Sequence, residues 1–328
     1  MLVNCLIIIF VSFLTGIAGI VLFKKLALKS AFLAGKGIPL VGGISIALAF
    51  IFGILAGWLL FKFPPQQIIG IAFSAITMLG FGLFDDRQEL SVNTKFLAQI
   101  IAASVLILSG VRTQIVYIGD WANIAITLIW IIGVTNAFNH LDIMDGLAAG
   151  VAVIASGAFL ATSFFNQDIQ SLVIALALLS AVLSFLFFNL PPAKIYMGNS
   201  GSHFLGFILA AVAISINYAP MERKIALLSP LLILGLPVFD TFFVILMRLK
   251  KHILPFKKSG DHLALLFLKS GYSQKKVLTA MFLLTLIFSI SGVALAKIPN
   301  YWGVMLVTAI VLMSIALIVR MGKLRISG

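Results

Sequence analysis

Residues 3–23, VNCLIIIFVSFLTGIAGIVLF, form an apolar run near the start of the chain. Crossing the hydrocarbon of a bilayer takes roughly 20 mostly apolar residues in a helix, so this run is long enough to span a membrane. Lys24 and Lys25 follow it directly, and no small-residue cleavage site is present. These flanks favour a retained membrane helix over a cleaved signal peptide.

Comparable runs follow one another along the rest of the sequence. Of the 328 residues, 62% are hydrophobic and only 10% are charged, and the mean hydropathy is +1.17. So few polar residues cannot cover a soluble globule of this size, and lipid must therefore solvate much of the surface. We predict an all-α, polytopic membrane helix bundle that forms a single integral membrane domain over residues 1–328. The eleven predicted spans, with ten left open as an alternative count, are residues 3–23, 40–61, 67–84, 96–111, 121–136, 147–165, 171–188, 203–217, 225–247, 277–296 and 302–319.

The positive charges indicate how the bundle is oriented. In a soluble protein a net charge of +13 would point to nucleic acid, but here most of the 23 Lys and Arg residues lie in alternate connections at helix ends. The residues that fall on the opposite side are Lys62, Arg112, Arg223, Lys224 and Lys297. The positive-inside rule then predicts an N-terminus outside, a C-terminus in the cytoplasm, and cytoplasmic placement of the larger connections.

Two adjacent carboxylates, Asp85 and Asp86, end the third apolar run in FGLFDDRQEL, residues 81–90. They repel each other, and near a low-dielectric boundary both are costly unless a positive group neutralises them. A divalent cation does so, and carboxylate oxygens suit Mg²⁺ or Mn²⁺. Capping or surface charge also explains an acidic pair at a helix end, so the pair alone leaves both interpretations open.

Two amides and two carboxylates recur at every third residue of NAFNHLDIMDGLAAG, residues 136–150. They are Asn136, Asn139, Asp142 and Asp145, and at a helix end or tight turn this spacing gathers them on roughly one side. Amides can hydrogen-bond a uracil or a sugar, and carboxylates can bind a metal ion or a hydroxyl group. Burying so many polar groups at a membrane helix terminus has few purely structural motives, which favours a functional role.

A third polar segment is FNLPPAKIYMGNSGSHFLGF, residues 188–207. Its two prolines predict the end of a helix, the Gly-Asn-Ser-Gly-Ser sequence predicts a turn, and the next helix is expected to begin near His203. Backbone N–H groups of such a turn, at a helix N-terminus, could bind a diphosphate. An ordinary interhelical turn with Ser202 as the N-cap is an equally good interpretation.

Two weaker signals lie in the C-terminal third of the chain. Asp240, in PVFDT at residues 237–241, interrupts an apolar run, where an ionisable group needs a partner or a function. The connection at residues 248–276 is rich in Lys and Arg. It could attract anionic lipid headgroups or a phosphorylated substrate, although charge that merely sets the topology explains it equally well.

Together these segments resemble the polyprenyl-phosphate N-acetylhexosamine-1-phosphate transferases of glycosyltransferase family 4. This family includes the undecaprenyl-phosphate GlcNAc-1-phosphate transferases and, more distantly, the phospho-MurNAc-pentapeptide translocase. The motifs that carry the resemblance are GKGIPLVGG at 35–43, FGLFDDR at 81–87, NTKFLAQ at 93–99, NAFN..D..DGLAAG at 136–150, PAKIYMGNSGS.FLGF at 192–207, PVFDT at 237–241 and DHL.......GYS at 261–273. The GlcNAc-type branch fits better, because the triple-histidine stretch of the translocase is missing.

The resemblance implies an Mg²⁺-dependent enzyme, with Mn²⁺ as an alternative cation, in the bacterial inner membrane with its active site on the cytoplasmic face. It would transfer an N-acetylhexosamine 1-phosphate, with GlcNAc 1-phosphate expected first, from a UDP-amino sugar to undecaprenyl or another polyprenyl phosphate and release UMP. That reaction is the first membrane step in making cell-envelope glycans such as teichoic acid and lipopolysaccharide. The implied partners are these two substrates and the lipid bilayer, without nucleic acid, and a homodimer is left open.

The resemblance also implies roles for individual residues. The implied catalytic residues are Asp85, Asp86, Asp142, Asp145 and His262. The implied substrate-binding residues are Asn136, Asn139, Asn199, Ser200, Gly201, Lys95 and Asp240. The implied metal ligands are Asp86, Asp145 and Asn199.

The sequence departs from the family pattern at a few of these positions. Asn199 stands where the family usually has an aspartate, and an amide oxygen can coordinate Mg²⁺ only without a charge, so weaker metal binding is expected. Ala264 and Leu265 replace further histidines, and Ile143 replaces a Gly or Asn. A catalytically weakened member that only binds the ligands is therefore one alternative. A lipid or sugar transporter is the other, although the one-sided placement of the acids disfavours it.

Overall fold

The structure is a computed structural model that describes residues 1–27, 37–218, 222–252 and 260–324, without the side chains of residues 322–324. All regular secondary structure within these residues is helical, which confirms the predicted all-α class. Helices α1 to α13 are Leu2–Ala27, Gly42–Phe61, Pro65–Arg87, Val92–Leu108, Gly119–Leu141, Leu147–Phe165, Ile169–Asn189, Gly198–Ser215, Ser229–Ile233, Gly235–Lys250, Leu263–Lys269, Gln274–Leu295 and Asn300–Leu324, and a 3₁₀ helix, Lys224–Leu228, precedes α9.

Each predicted membrane run falls on a helix, but the number of spans differs from the prediction. Among the described residues, eight helices are long and apolar enough to cross a membrane: α1, α2, α3, α5, α6, α7, α12 and α13. A ninth span arises if Lys224–Ile233 and Gly235–Lys250, which are bent by 76°, cross together. The two remaining runs fall on α4, which has only 17 residues, and on α8, whose first turn is polar. By length and composition alone, eight or nine helices therefore qualify as spans, fewer than the eleven predicted.

The chain divides into two compact units, Met1–Asn217 and Tyr218–Gly328, and each is described by itself. The first unit contains α1 to α8, and the second contains the 3₁₀ helix and α9 to α13. That residues 1–328 act as a single domain stays a prediction, as do the sides of the membrane on which the termini lie. The orientation also counts Lys29, Lys36 and Arg325 among the cytoplasmic cations, and these residues lie outside the described ones, as do residues 253–259 of the basic connection.

Helix α8 is the central element of the first unit. Every residue from Ser200 to Ala213 is buried, because this stretch is apolar or small all the way round and has no face that suits solvent. It packs against α3 and α5 and also touches α2. Asp86 in the last turn of α3 and Asn139 in the last turn of α5 both bind the first turn of α8.

Glycines let the backbones approach closely at this point. A Cβ on Gly82 of α3 would lie 2.3 Å from Ser200 Cα, and a Cβ on Gly43 of α2 would lie 2.5 Å from the Gly201 nitrogen. Real Cβ atoms do not come this close to backbone, so any larger residue would push α8 away. The backbone N–H groups of Gly42 and Gly43 donate to the carbonyls of Tyr196 and Met197, at 3.0 and 3.1 Å. The start of α8 is thereby fixed against the N-terminus of α2 and the C-terminal half of α3.

The prediction of a turn at Gly-Asn-Ser-Gly-Ser, residues 198–202, is wrong. Helix α8 begins at Gly198 instead of near His203, and residues 198–202 form its first turn. Gly198 has φ +73°, a left-handed conformation that glycine adopts without strain. The other glycine, Gly201, is needed for close packing against α2. Small polar residues usually mark turns, and here the demands of packing override that preference.

The second unit is organised around the packing of α9 and α10 against α12. A Cβ on Gly292 of α12 would lie 2.6 Å from Ile233 Cγ1, and one on Gly235 would lie 2.5 Å from a ring carbon of Phe288. Ser289 donates to the carbonyl of Ile233 at 3.1 Å across the same contact. The bend between α9 and α10 is therefore held by close packing against a straight apolar helix.

Candidate active site

The two adjacent carboxylates at the end of α3 have different partners. Asp85 is only 5% exposed, and its Oδ2 lies 2.7 Å from Lys95 Nζ on α4. Its Oδ1 accepts a 2.8 Å hydrogen bond from the backbone N–H of Leu90. Asp85 therefore closes the α3–α4 connection and orients Lys95, the predicted substrate-binding lysine.

Asp86 turns toward the start of α8 instead. Its Oδ1 accepts from the backbone N–H of Asn199 at 2.6 Å, and its Oδ2 accepts from that of Ser200 at 3.1 Å. A carboxylate at this position offsets the partial positive charge of a helix N-terminus and satisfies donors that have no partner within the helix. A Cβ on Gly198 would lie 2.6 Å from Asp86 Oδ2, so glycine is required there as well. Two of the N–H groups predicted to bind a diphosphate are thus bound by Asp86, and diphosphate binding by this segment stays a prediction.

The two predicted amide residues, Asn136 and Asn139, also have different partners. Asn136 and Gln99 of α4 form a reciprocal pair, in which Asn136 Nδ2 donates to Gln99 Oε1 at 2.8 Å and Gln99 Nε2 donates back at 3.3 Å. Asn139 instead donates to Asn199 Oδ1 at 3.0 Å and to Ser202 Oγ at 2.9 Å. Asn136 thus joins α5 to α4, whereas Asn139 joins α5 to the first turn of α8.

Asp142 and Asp145 complete an acidic cluster, which we define as Asp86, Asp142 and Asp145. Enclosure by the protein, then the negative charges of Asp86 and of Asp145, raise the pKa of Asp142 to about 7. Asp145 Oδ2 accepts from the backbone N–H of Ala193 at 3.1 Å. The carboxylates that the sequence singled out in α3 and after α5 therefore lie close enough to act on one another.

The donor atoms of the acidic cluster suit a hard cation such as Mg²⁺. Carboxylate oxygens, with the amide oxygen of Asn199 nearby, are the ligands that Mg²⁺ or Mn²⁺ takes in proteins, and a divalent charge would offset their mutual repulsion. Across the described part of the chain, no three His, Cys, Asp or Glu side chains are already arranged as a metal-binding group. The chemistry of the cluster fits the predicted cation, while the present contacts of Asp86 and Asn199 are made within the protein.

A small, partly open cavity lies beside the Asp85–Lys95 pair. Its lining is mostly apolar and comprises Met78, Phe81, Gly82, Asp85, Leu90, Lys95, Ala98 and His203. His203 is buried, and its Nδ1 lies 2.8 Å from the carbonyl oxygen of Asn199. The cavity therefore lies between Lys95 on α4 and His203 on α8.

The second unit brings together the other two predicted site residues. His262 Nδ1 lies 2.7 Å from Asp240 Oδ2, and the backbone N–H of Leu263 donates to Asp240 Oδ1 at 2.8 Å. Asp240 and His262 are 3% and 5% exposed. Nearby, Lys251 Nζ lies 3.1 Å from both carboxylate oxygens of Asp261. Asp240 was predicted to bind substrate, and the structure gives its two oxygens to the segment that opens α11.

Some supporting residues were missed by the sequence interpretation. Asn189 Oδ1 accepts from the backbone N–H of Gly146 at 3.0 Å, and its Nδ2 donates to the carbonyl of Ile195 at 3.0 Å. The sequence did contain a signal for Asn189, because a polar residue at the end of an apolar run, two positions before a pair of prolines, indicates a side chain that bonds to backbone groups. Gln99 gave a similar signal, because it is a polar residue inside the run of α4, and it is only 1% exposed.

Comparison with known proteins places the chain in a family. Residues 68–217 match glycosyl transferase family 4. A probable undecaprenyl-phosphate N-acetylglucosaminyl 1-phosphate transferase from Bacillus subtilis (strain 168) is 31% identical over 277 residues, which cover 81% of this chain and 75% of that protein. The chain belongs to glycosyl transferase family 4.

Other members of glycosyl transferase family 4 resemble the chain to a similar degree. A decaprenyl-phosphate N-acetylglucosaminephosphotransferase from Mycobacterium leprae (strain TN) is 30% identical over 319 residues, covering 86% of this chain and 79% of that protein. A phospho-N-acetylmuramoyl-pentapeptide-transferase from Desulforamulus reducens is 31% identical over 307 residues, covering 83% and 86%. The family resemblance predicted from the motifs is thus confirmed, and the matched region 68–217 contains the acidic cluster and ends where the first unit ends.

Proposed function

We propose that the chain is a membrane enzyme that transfers an N-acetylhexosamine 1-phosphate from a UDP-sugar to a polyprenyl phosphate. GlcNAc 1-phosphate and undecaprenyl phosphate are the first substrates to test, because the name of the Bacillus subtilis relative contains both and that of the Mycobacterium leprae relative contains N-acetylglucosamine with decaprenyl phosphate. The observation that carries the proposal is that Asp142 lies close enough to Asp86, which binds the N-terminus of α8, and to Asp145 for both charges to act on it. Carboxylates collected at one helix end support surface chemistry on charged groups better than transport through the bilayer.

The proposed reaction has a simple atom balance. An oxygen of the lipid phosphate attacks the β-phosphorus of the UDP-sugar, the bond from that phosphorus to the bridging oxygen breaks, and UMP leaves with the electron pair. The products are UMP and a lipid diphosphate sugar. Phosphoryl transfer depends mainly on alignment and on charge neutralisation, so the protein needs few groups that react covalently.

Different residues of the first unit would bind the metal ion, bind the phosphate and position the first turn of α8. Asp86, Asp145 and Asn199 would hold Mg²⁺, which when bound neutralises phosphate charge and polarises the phosphoryl oxygens. Lys95, fixed by its 2.7 Å ion pair with Asp85, offers a positive charge beside an apolar cavity and suits the phosphate end of a lipid. Asn139 keeps the first turn of α8 next to the carboxylates.

The proposed location is the bacterial plasma membrane, with the acidic cluster facing the cytoplasm, where UDP-sugars are made. The distribution of Lys and Arg supports this orientation through the positive-inside rule. The enzyme would then begin a lipid-linked glycan of the cell envelope, and teichoic acid and lipopolysaccharide are two such products.

The decisive assay uses membranes that contain the full chain. They are incubated with radiolabelled UDP-GlcNAc, undecaprenyl phosphate and Mg²⁺, and the label is followed into the organic phase while UMP is measured in the aqueous phase. Equal amounts of labelled lipid and UMP are expected, and EDTA should abolish both. Label that enters vesicles without UMP release would indicate transport instead.

A second function, ligand binding without turnover, is favoured by one observation. Asn199 lacks a charge, and its Oδ1 already accepts a hydrogen bond from Asn139. Weak metal binding could therefore leave the chain able to bind the nucleotide sugar but not to transfer from it. Saturable binding of UDP-GlcNAc to the purified protein, with no lipid product at any Mg²⁺ concentration, would support this alternative.

A further inference from the structure

His203 is a buried histidine in the second turn of α8, and the proposed reaction leaves it without a role. It is 4% exposed, and its Nδ1 lies 2.8 Å from the carbonyl oxygen of Asn199. A carbonyl oxygen can only accept a hydrogen bond, so Nδ1 carries a hydrogen and donates it. This contact fixes the direction of the ring and leaves Nε2 as the nitrogen that can meet a ligand.

The ring of His203 lines the small, partly open cavity beside Lys95. The charges of Asp85 and Lys95 both act on the ring, so the three side chains lie close to one another. The other lining residues carry no polar side chain, and they are Met78, Phe81, Gly82, Leu90 and Ala98. The cavity is therefore an apolar hollow whose polar groups are one ion pair and one imidazole.

The polar groups of this cavity have bonding capacity left over. Both oxygens of Asp85 are engaged, Oδ1 by the backbone N–H of Leu90 and Oδ2 by Lys95 Nζ. An ammonium group has three hydrogens, and the ion pair with Asp85 engages only part of them. The groups that can bind a ligand here are therefore the remaining hydrogens of Lys95 and the Nε2 atom of His203.

We propose that His203 and Lys95 together bind the phosphate group of the lipid substrate, with one phosphate oxygen in the cavity. An ionised oxygen accepts from Lys95, and a hydrogen shared between a phosphate oxygen and Nε2 can sit on either atom, so the contact forms in both cases. The small cavity suits a single oxygen, and its apolar lining favours a phosphate attached to a hydrocarbon chain over one attached to a nucleoside. For the identity of the ligand this inference rests on the proposed function.

Two substitutions separate ligand binding from the structural contact with Asn199. The side-chain amide in His203→Asn reaches about as far as Nδ1, so it keeps the hydrogen bond to the carbonyl and loses the group at Nε2. The amide in His203→Gln reaches about as far as Nε2 and gives up the contact at Nδ1. The readout is the Kd of tritiated farnesyl phosphate for the full chain in nanodiscs, with Mg²⁺ and without a nucleotide sugar. The Kd should rise at least about tenfold in His203→Asn and less than about threefold in His203→Gln.

The order of the two variants decides between the roles. A larger loss in His203→Gln than in His203→Asn would show that the ring acts only through the Asn199 carbonyl, and it would overturn the proposal. Equal losses, or no loss in either variant, would overturn it as well.

A measurement on the wild type needs no variant to fold. Farnesyl phosphate should shift the ¹⁵N resonance of His203 Nε2, assigned with His203→Gln, whereas farnesol, inorganic phosphate and UDP-GlcNAc should not. No shift with farnesyl phosphate, or an equal shift with any of the other three, would contradict the proposal. If farnesyl phosphate binds with the expected order of variants but the wild type forms no lipid product, this site stands and the proposed function fails. Normal turnover with an unchanged KM for the lipid phosphate in His203→Asn would overturn the site alone.

Discussion

At the residue scale, adjacent and chemically identical side chains have acquired different roles. Asp85 binds Lys95 and the α3–α4 connection, whereas Asp86 binds the first turn of α8. The acidic pair was predictable as a site from its position at the end of an apolar run. The different roles of Asp85 and Asp86 were not predictable, because their partners come from α4 and α8, whose placement next to α3 depends on the tertiary packing.

Replacing Asp86 should abolish transfer and also weaken the start of α8. Asp86→Ala removes the charge of a proposed metal ligand. It also removes both acceptors for the N–H groups of Asn199 and Ser200, a loss of about 0.5–2 kcal/mol by analogy with helix caps. The lipid-product assay and thermal unfolding in detergent measure the two effects. Asp120→Ala, which removes an exposed carboxylate at the other end of α5, should change neither. Normal turnover by Asp86→Ala would exclude Asp86 from the mechanism.

Restoring a carboxylate at position 199 should strengthen metal binding. In Asn199→Asp the oxygen that accepts from Asn139 is retained, so the local structure should tolerate the change. We expect activity to be preserved or raised and the Mg²⁺ concentration for half-maximal rate to fall, because a charged ligand binds the cation more tightly. Asn136→Asp is the control, since its partner is Gln99 rather than the acidic cluster. An unchanged Mg²⁺ requirement in Asn199→Asp would argue against Asn199 as a ligand.

The acidic cluster should make the metal-free protein less stable as the pH rises. Asp142 has a folded-state pKa of about 7 against 3.8 for the unfolded chain, so the folded state binds its proton more tightly. As the pH rises, Asp142 loses its proton in the unfolded chain before it does so in the folded state. This lowers the free energy of unfolding, and the stability contribution of Asp142 is lost between about pH 4 and pH 7. In EDTA, the Tm should fall as the pH is raised from 5 to 7, and Asp142→Asn should flatten the slope.

The control for this pH dependence is Asp120→Asn, which changes an exposed acid at the opposite end of α5 and should leave the slope as it is. Added Mg²⁺ should also flatten the slope, because a bound cation favours the ionised carboxylate. A Tm that rises between pH 5 and 7 in EDTA, with no effect of Asp142→Asn, would contradict the assigned environment of Asp142.

At the scale of the elements, apolar runs predicted the bodies of the helices better than their ends. Helices α2, α6 and α7 lie where continuous hydrophobicity put them, because such runs have no other stable arrangement in lipid. The start of α8 was misplaced because its first turn consists of residues typical of loops. The bend between α9 and α10 had two sequence signals, Gly235 and Pro237, because a proline has no N–H to continue the helical hydrogen bonds. Its 76° angle could not be predicted, since it depends on close packing against α12.

The contact between α3 and α8 should be intolerant of a single added methyl group. A Cβ at position 82 would lie 2.3 Å from Ser200 Cα and 2.8 Å from its nitrogen, and backbone cannot move aside as a flexible side chain can. Gly82→Ala should therefore cost about 1–3 kcal/mol of stability and displace the N–H groups bound by Asp86, with a large loss of transfer.

Gly80 supplies the matched control on the same helix. No atom lies within 4 Å of a Cβ built on Gly80, so Gly80→Ala adds the same methyl group to α3 without a clash. Its Tm in detergent should be unchanged or slightly raised, because alanine is the better helix former. Equal effects of the two substitutions on Tm and product formation would show that the close approach of α3 and α8 does not matter for the site.

At the scale of the whole molecule, the sequence predicted that the polar motifs would share one face, because counting charges in alternate connections put them there. Within the first unit the acidic cluster and Asn199 do converge. The sequence could not predict the pairs Asp85–Lys95 and Asn136–Gln99, since both depend on how α4 packs against its neighbours. Long apolar runs determine the class of fold, whereas specific polar pairs depend on the neighbours that packing provides.

Helix α4 tests both the orientation and the number of spans. Its 17 residues extend about 25 Å at 1.5 Å per residue, less than the roughly 30 Å of a bilayer core, so it can cross only if the membrane thins or the flanking residues contribute. Gln88 and Gln114 are exposed and lie on either side of it. In a Cys5→Ser background, a membrane-impermeant maleimide should label Gln114→Cys in spheroplasts and Gln88→Cys only in inside-out vesicles. Labelling of both from the same side would mean that α4 does not cross, and the reverse pattern would place the acidic cluster outside, away from any cytoplasmic nucleotide sugar.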